Sequence, residues 1–111
     1  MKYACLVYPG DTLPLTATDV KDFIAVRAAM QESGVYVTST RLKPVESATT
    51  VRIRDGEAVL TDGPFAEIKE HLGGVLILDC ADLDEAVAWV VRLPGVRGGA
   101  VEIRPMVEFP D

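Results

Sequence analysis

The chain has 111 residues, and its 17 acidic and 11 basic side chains give a formal charge of −6. No stretch gathers Lys and Arg on one face, which argues against nucleic acid or an anionic membrane as partner. The 49% hydrophobic and 25% charged content suits one globular domain, residues 1–111, around a single core.

Residues 3–8 (YACLVY) form a continuous apolar run stopped by Pro9-Gly10, and are predicted to be a buried strand. The run is too short for a secretory leader or a membrane span, so the expected location is the cytoplasm. Thr16 followed by Asp19 reads as a capping box opening a helix. Val20, Phe23, Val26 and Met30 recur at helical spacing until Gly34 ends it. Arg27 sits at the edge of that stripe, where its stem can cover apolar surface. Residues 35–42 (VYVTSTRL) alternate as a half-buried strand closed by Pro44.

Asp55-Gly56 between two alternating runs predicts a hairpin with a two-residue turn. That register pairs Arg54 with Glu57, Ile53 with Ala58, Arg52 with Val59 and Val51 with Leu60, and then Thr50 with Thr61 and Thr49 with Asp62. Val51, Ile53, Ala58 and Leu60 share one face; Arg52, Arg54 and Glu57 share the other. The two arginines could bind a carboxylate if that face is covered.

The segment 61–70 reads TDGPFAEIKE. Loop geometry alone accounts for Asp62-Gly63-Pro64-Phe65: Asp accepts backbone N–H bonds, Gly permits unusual φ, Pro fixes φ, and Phe anchors the loop in the core. A helical or 3₁₀ turn is expected from there to about residue 70. On such a turn Glu67 shares a face with Glu70 and His71, and Lys69 lies to another side. With Thr49 beside Asp62, these groups can converge at one rim of the sheet. Three readings stay open. In one, Asp62 or Glu67 handles a proton while Lys69 or His71 stabilises charge. In another, Asp62, Glu67 and His71 hold a divalent metal; with one histidine and no clustered cysteines this is weak, and no metal or cofactor is expected. In the third the charges are a solvated rim.

Residues 72–80 (LGGVLILDC) predict a second buried strand. Asp82 with Glu85 opens a helix whose stripe is Leu83, Ala86, Val87 and Val90, ending at Pro94-Gly95, with Trp89 as packing. Residues 100–108 form a last strand, placed at an edge by Pro105. Cys5 and Cys80 fall in or at the end of apolar runs and are expected as buried thiols, not as a disulfide or a nucleophile.

The order β-α-β, hairpin, β-α-β gives an α+β fold, a ferredoxin-like antiparallel sheet with both helices on one face. Its central strands, 3–8 and 72–80, are apolar on both faces, so the side away from the helices needs a cover. A second copy is the expected one, with the hairpin folding across the sheet as the alternative.

ATTVRIRDG (48–56), TDGPFAEIKE (61–70), LGG (72–74), DLDEA (82–86) and VEIRP (101–105), in this order, resemble the YCII-related family in its DGPF-domain branch. The resemblance covers most of the chain from about residue 35 onward. It implies a dimeric α/β-barrel, no settled reaction, and a context beside extracytoplasmic-function sigma factors. Some members carry a histidine near the first helix paired with an aspartate; residues 10–44 here contain no histidine. Ile68 stands where the branch usually has Thr. The signature positions are Asp62, Gly63, Pro64, Phe65, Glu67, Lys69 and Glu70. Asp62, Glu67 and Lys69 are the candidate catalytic groups, with Thr49, Arg52, Phe65, Glu70 and His71 as candidate ligand contacts. The expected function is binding of a small organic molecule by a homodimer, with acid–base chemistry at the turn. The alternative is a non-catalytic regulatory module that contacts a sigma factor.

Overall fold

A computed structural model describes residues 1–10, 14–65 and 71–109. Six strands and two helices follow in the order β1 (Lys2–Tyr8), α1 (Ala17–Ser33), β2 (Tyr36–Arg41), β3 (Thr49–Arg54), β4 (Glu57–Asp62), β5 (Gly74–Asp79), α2 (Leu83–Val90) and β6 (Ala100–Pro105). Four strands form one antiparallel sheet in the order β2-β5-β1-β6, and β3-β4 form a separate two-stranded ribbon. This mixed α+β arrangement, with the two apolar runs central, is compatible with the expected ferredoxin-like fold.

Local chemistry sets the ends of the helices. The Thr16 hydroxyl accepts from the Asp19 N–H at 3.1 Å, and the Asp19 carboxylate accepts from the Thr16 N–H at 3.0 Å. Asp82 caps α2 by accepting from the Glu85 N–H at 2.9 Å. The return bond differs from the expected box: Glu85 accepts from Ala81, one residue earlier, at 3.0 Å. Arg97 then ties the turn after α2 to the start of α1, reaching Asp22 at 3.0 Å and Asp19 at 3.9 Å.

Alternation along the strands puts Tyr3, Cys5, Leu76 and Leu78 on the helix side. There they meet Val26 and Met30 of α1, Ala86 and Val90 of α2, and Leu93. The helical stripes predicted from spacing are wider than the faces actually buried. Val20 is exposed on α1, and Leu83 and Val87 are exposed on α2. The last strand stops at Pro105, short of residue 108, and lies at the sheet edge as its proline requires.

On the other side of the sheet Ala4 pairs with Ile77 and Leu6 with Val75, all half-buried, and no helix among the described residues covers them. The β3-β4 ribbon does not pack across this face. It joins neither β1 nor β5, and all its strand residues except Thr50 are exposed. The radius of gyration of 16.0 Å exceeds the roughly 13 Å of a compact domain this size, as a projecting ribbon would cause.

Candidate functional site

The projecting ribbon has the register read from the sequence, from Arg54 opposite Glu57 to Thr49 opposite Asp62. Its tip has Asp55 at φ 53° and Gly56 at φ 79°, the positive pair that a two-residue hairpin turn demands and that Asp-Gly supplies. Period two then makes two unlike faces. Val51, Ile53 and Leu60 make an aliphatic face, 60–69% exposed. Thr50, Arg52, Arg54, Glu57, Val59 and Thr61 make the polar one.

The turn after β4 folds back along the polar face. Gly63 sits at φ 104°, a conformation costly for any side chain. Its N–H donates to the Ala48 carbonyl at 2.7 Å, and its own carbonyl accepts the Thr50 hydroxyl at 2.7 Å. These bonds lay Pro64-Phe65 beside the ribbon. The Arg52 guanidinium lies over the Phe65 ring, 4.7 Å from its centre, a cation–π contact worth about 0.5–1 kcal/mol where solvent reaches it. Together Thr50, Arg52, Arg54, Val59, Thr61, Pro64 and Phe65 line an open groove.

Two expectations about this turn need correction. Phe65 does not anchor the loop in the core: it is 73% exposed, because the turn runs out along the ribbon and never reaches the main sheet. Asp62 does not close the turn either. It accepts no hydrogen bond among the described residues; Ala48 and Thr50 hold Gly63 in its place.

The groove is rich in donors. The Arg52 guanidinium, over the Phe65 ring, carries five N–H donors, and no hydrogen bond from them is made among the described residues. Among the described residues neither Arg52 nor Arg54 forms an ion pair, although Glu57 faces Arg54 across the ribbon. The Thr50 hydroxyl proton is committed to Gly63, while that of Thr61 has no partner among the described residues.

Of the other candidates, Thr49 and Asp62 meet at the base of the ribbon, and both are exposed. His71 is half-buried and does not line the groove. It immediately precedes the segment in which Gly73 donates to Val7 and accepts from Leu42. Glu67, Lys69 and Glu70, with the turn expected to carry them, lie outside the described residues. Arg54 was read with Arg52 as able to bind a carboxylate, whereas Thr50, Val59 and Thr61 were not singled out as ligand contacts. The Thr50–Thr61 pairing in the hairpin register was the available signal.

Cys5 and Cys80 are free thiols, buried as expected. Both thiols are pushed up to about 11, chiefly by burial, with Glu85 contributing to the rise at Cys80. A thiol held there is protonated at neutral pH and is a poor nucleophile. Among the described residues no group of three His, Cys, Asp or Glu is arranged to hold a metal ion. No helix among them is long and apolar enough to cross a membrane.

A model of the YCII-related domain matches residues 1–110 of the chain. An uncharacterized protein of Rhizobium meliloti (strain 1021) is 35% identical over 117 residues, covering 98% of this chain and 94% of the relative.

Proposed function

The chain belongs to the YCII-related domain family, and from that premise we propose that it is a homodimer that binds a small organic molecule in the groove between the ribbon and Pro64-Phe65. The observation that carries this reading is Phe65, an aromatic ring 73% exposed yet held under Arg52 in a groove of threonines and arginines. An exposed ring held in a fixed position offers a ligand a preformed apolar surface. In the proposal Asp62 and Glu67 handle a proton, and Lys69 stabilises the charge that develops.

The dimer forms by apposition of the uncovered faces of two sheets, as in a dimeric α/β-barrel. Ala4, Leu6, Val75 and Ile77 supply the apolar centre, and the aliphatic face of the ribbon extends the contact. Support comes from the ribbon itself, since an isolated two-stranded hairpin is marginal in water. Covering Val51, Ile53 and Leu60 would stabilise it by about 1.5–3 kcal/mol per side chain.

The test is a ligand-observed NMR screen of small organic acids, amines and neutral aromatics over the wild type and Phe65→Ser. Hits that vanish with Phe65→Ser support the groove. Hits that bind both proteins equally overturn it.

A second reading, a non-catalytic regulatory module docking a protein such as a sigma factor, is favoured by the same exposed aliphatic face of Val51, Ile53 and Leu60. The two readings diverge on what occupies that face in the purified protein. A second copy favours the first and a monomer favours the second.

A further inference from the structure

Resting on the small-molecule reading above, we propose that the groove takes the carboxylate of a planar organic acid, received by the guanidinium fork of Arg52 with Arg54 beside it. Two guanidinium groups and the Thr61 hydroxyl can donate. The Thr50 hydroxyl proton is not among these donors, being given to Gly63 at 2.7 Å. A donor-rich site is satisfied by a ligand rich in acceptors, and an anion is the strongest such ligand.

The stacking geometry narrows the class. The central carbon of the Arg52 guanidinium lies over the Phe65 ring, 4.7 Å from its centre. That contact restrains the group, whose five N–H bonds point outward in one plane and have no hydrogen-bond partner among the described residues. Two parallel N–H bonds match the two oxygens of a carboxylate, so the acid group would lie in the guanidinium plane. The exposed ring of Phe65 and the methyl groups of Val59 then offer a shelf for the planar body of the same ligand.

Charge selects in the same direction. The chain carries a formal −6, and like most of its described cations Arg52 and Arg54 have no carboxylate partner among the described residues; what sets these two apart is that both line one groove. Glu57 faces Arg54 across the ribbon without forming an ion pair. It lowers the affinity for anions at the Arg54 end and sets the acid group nearer Arg52.

The experiment is an amide NMR titration of the full-length protein with three probes: benzoate, its neutral isostere benzamide, and inorganic phosphate. Benzoate is expected to shift the amides of Thr50, Arg52, Thr61 and Phe65 saturably, and to bind at least about ten-fold more tightly than benzamide. Arg52→Gln should weaken benzoate by a similar factor. Arg52→Lys should not restore it, because an ammonium lacks the fork. Glu57→Gln should tighten it. Arg52 and Glu57 are exposed, so the amide spectra of these variants report directly that the fold is kept. Benzamide binding as tightly as benzoate would overturn the acid while leaving a small-molecule site in place. Phosphate binding as tightly as benzoate would overturn the planar carboxylate. Silence from both aromatic probes would remove the acid site and the small-molecule reading together.

Discussion

Arg52 and Phe65 meet across the turn that follows β4, the guanidinium 4.7 Å from the centre of the ring. The contact exists because Gly63 turns the chain back at φ 104° and Thr50 fastens its carbonyl. A backbone conformation open to glycine, one hydroxyl and one stacking contact thus convert the end of a hairpin into a groove.

Thr50→Val removes the hydroxyl while keeping the shape of the side chain. The loss of one hydrogen bond to Gly63 should cost about 1 kcal/mol, confined to the ribbon and its turn. Amide exchange is the measurement: Gly63 should lose protection while Cys5, Leu76 and Leu78 keep theirs. Uniform loss of protection would mean the ribbon folds as one unit with the main sheet.

Ile53→Glu together with Leu60→Lys places charge on the aliphatic face, where the wild-type side chains are 69% and 66% exposed. If a second copy covers that face, burial of the new charges is costly and the assembly should dissociate. Sedimentation velocity should show a shift from two chains to one, with the circular dichroism of the main sheet retained. An unchanged sedimentation coefficient would place the dimer contact elsewhere.

Thr16→Ala should destabilise the protein by about 1 kcal/mol by removing the α1 cap, read from the denaturant midpoint. Its partner adds a pH dependence. Hydrogen bonds from Thr16, chiefly from its backbone N–H, hold the Asp19 carboxyl below its ordinary value, with Arg97 assisting. The unfolded chain therefore takes up this proton more readily than the folded one. The stability gained is complete above the unfolded value of roughly 3.9 and is lost as pH falls through the lower folded value. Asp19→Asn should flatten that part of the acid limb.

Cys5 and Cys80, buried and pushed up to about 11, should resist iodoacetamide at neutral pH in the folded protein. Both should label once denaturant unfolds it. Rapid labelling of the native protein would contradict their burial.

The hairpin was legible in the sequence because Asp55-Gly56 fixes both the turn and the register, and period two then sorts every side chain to a face. The central position of 3–8 and 72–80 was legible from the β-α-β, hairpin, β-α-β order, which puts the first and third core strands in the middle of the sheet. The fate of Phe65 was not. An aromatic after Gly-Pro reads as a core anchor, and only the direction of the turn decides whether it reaches the core or lies along a ribbon. The Thr50–Gly63 bond was hidden too, because it joins a strand to a turn 13 residues on through a backbone angle that composition does not reveal. Helix stripes were read too wide: spacing marks Val20, Leu83 and Val87 as apolar, but not whether a neighbour arrives to cover them.

The most direct measurement is a native mass spectrum of the freshly purified protein beside that of Phe65→Ser. The expected result is a mass of two chains with a reproducible small-molecule addition, lost in the variant while the dimer remains. A single chain without added mass in the wild type would contradict both the dimer and the groove.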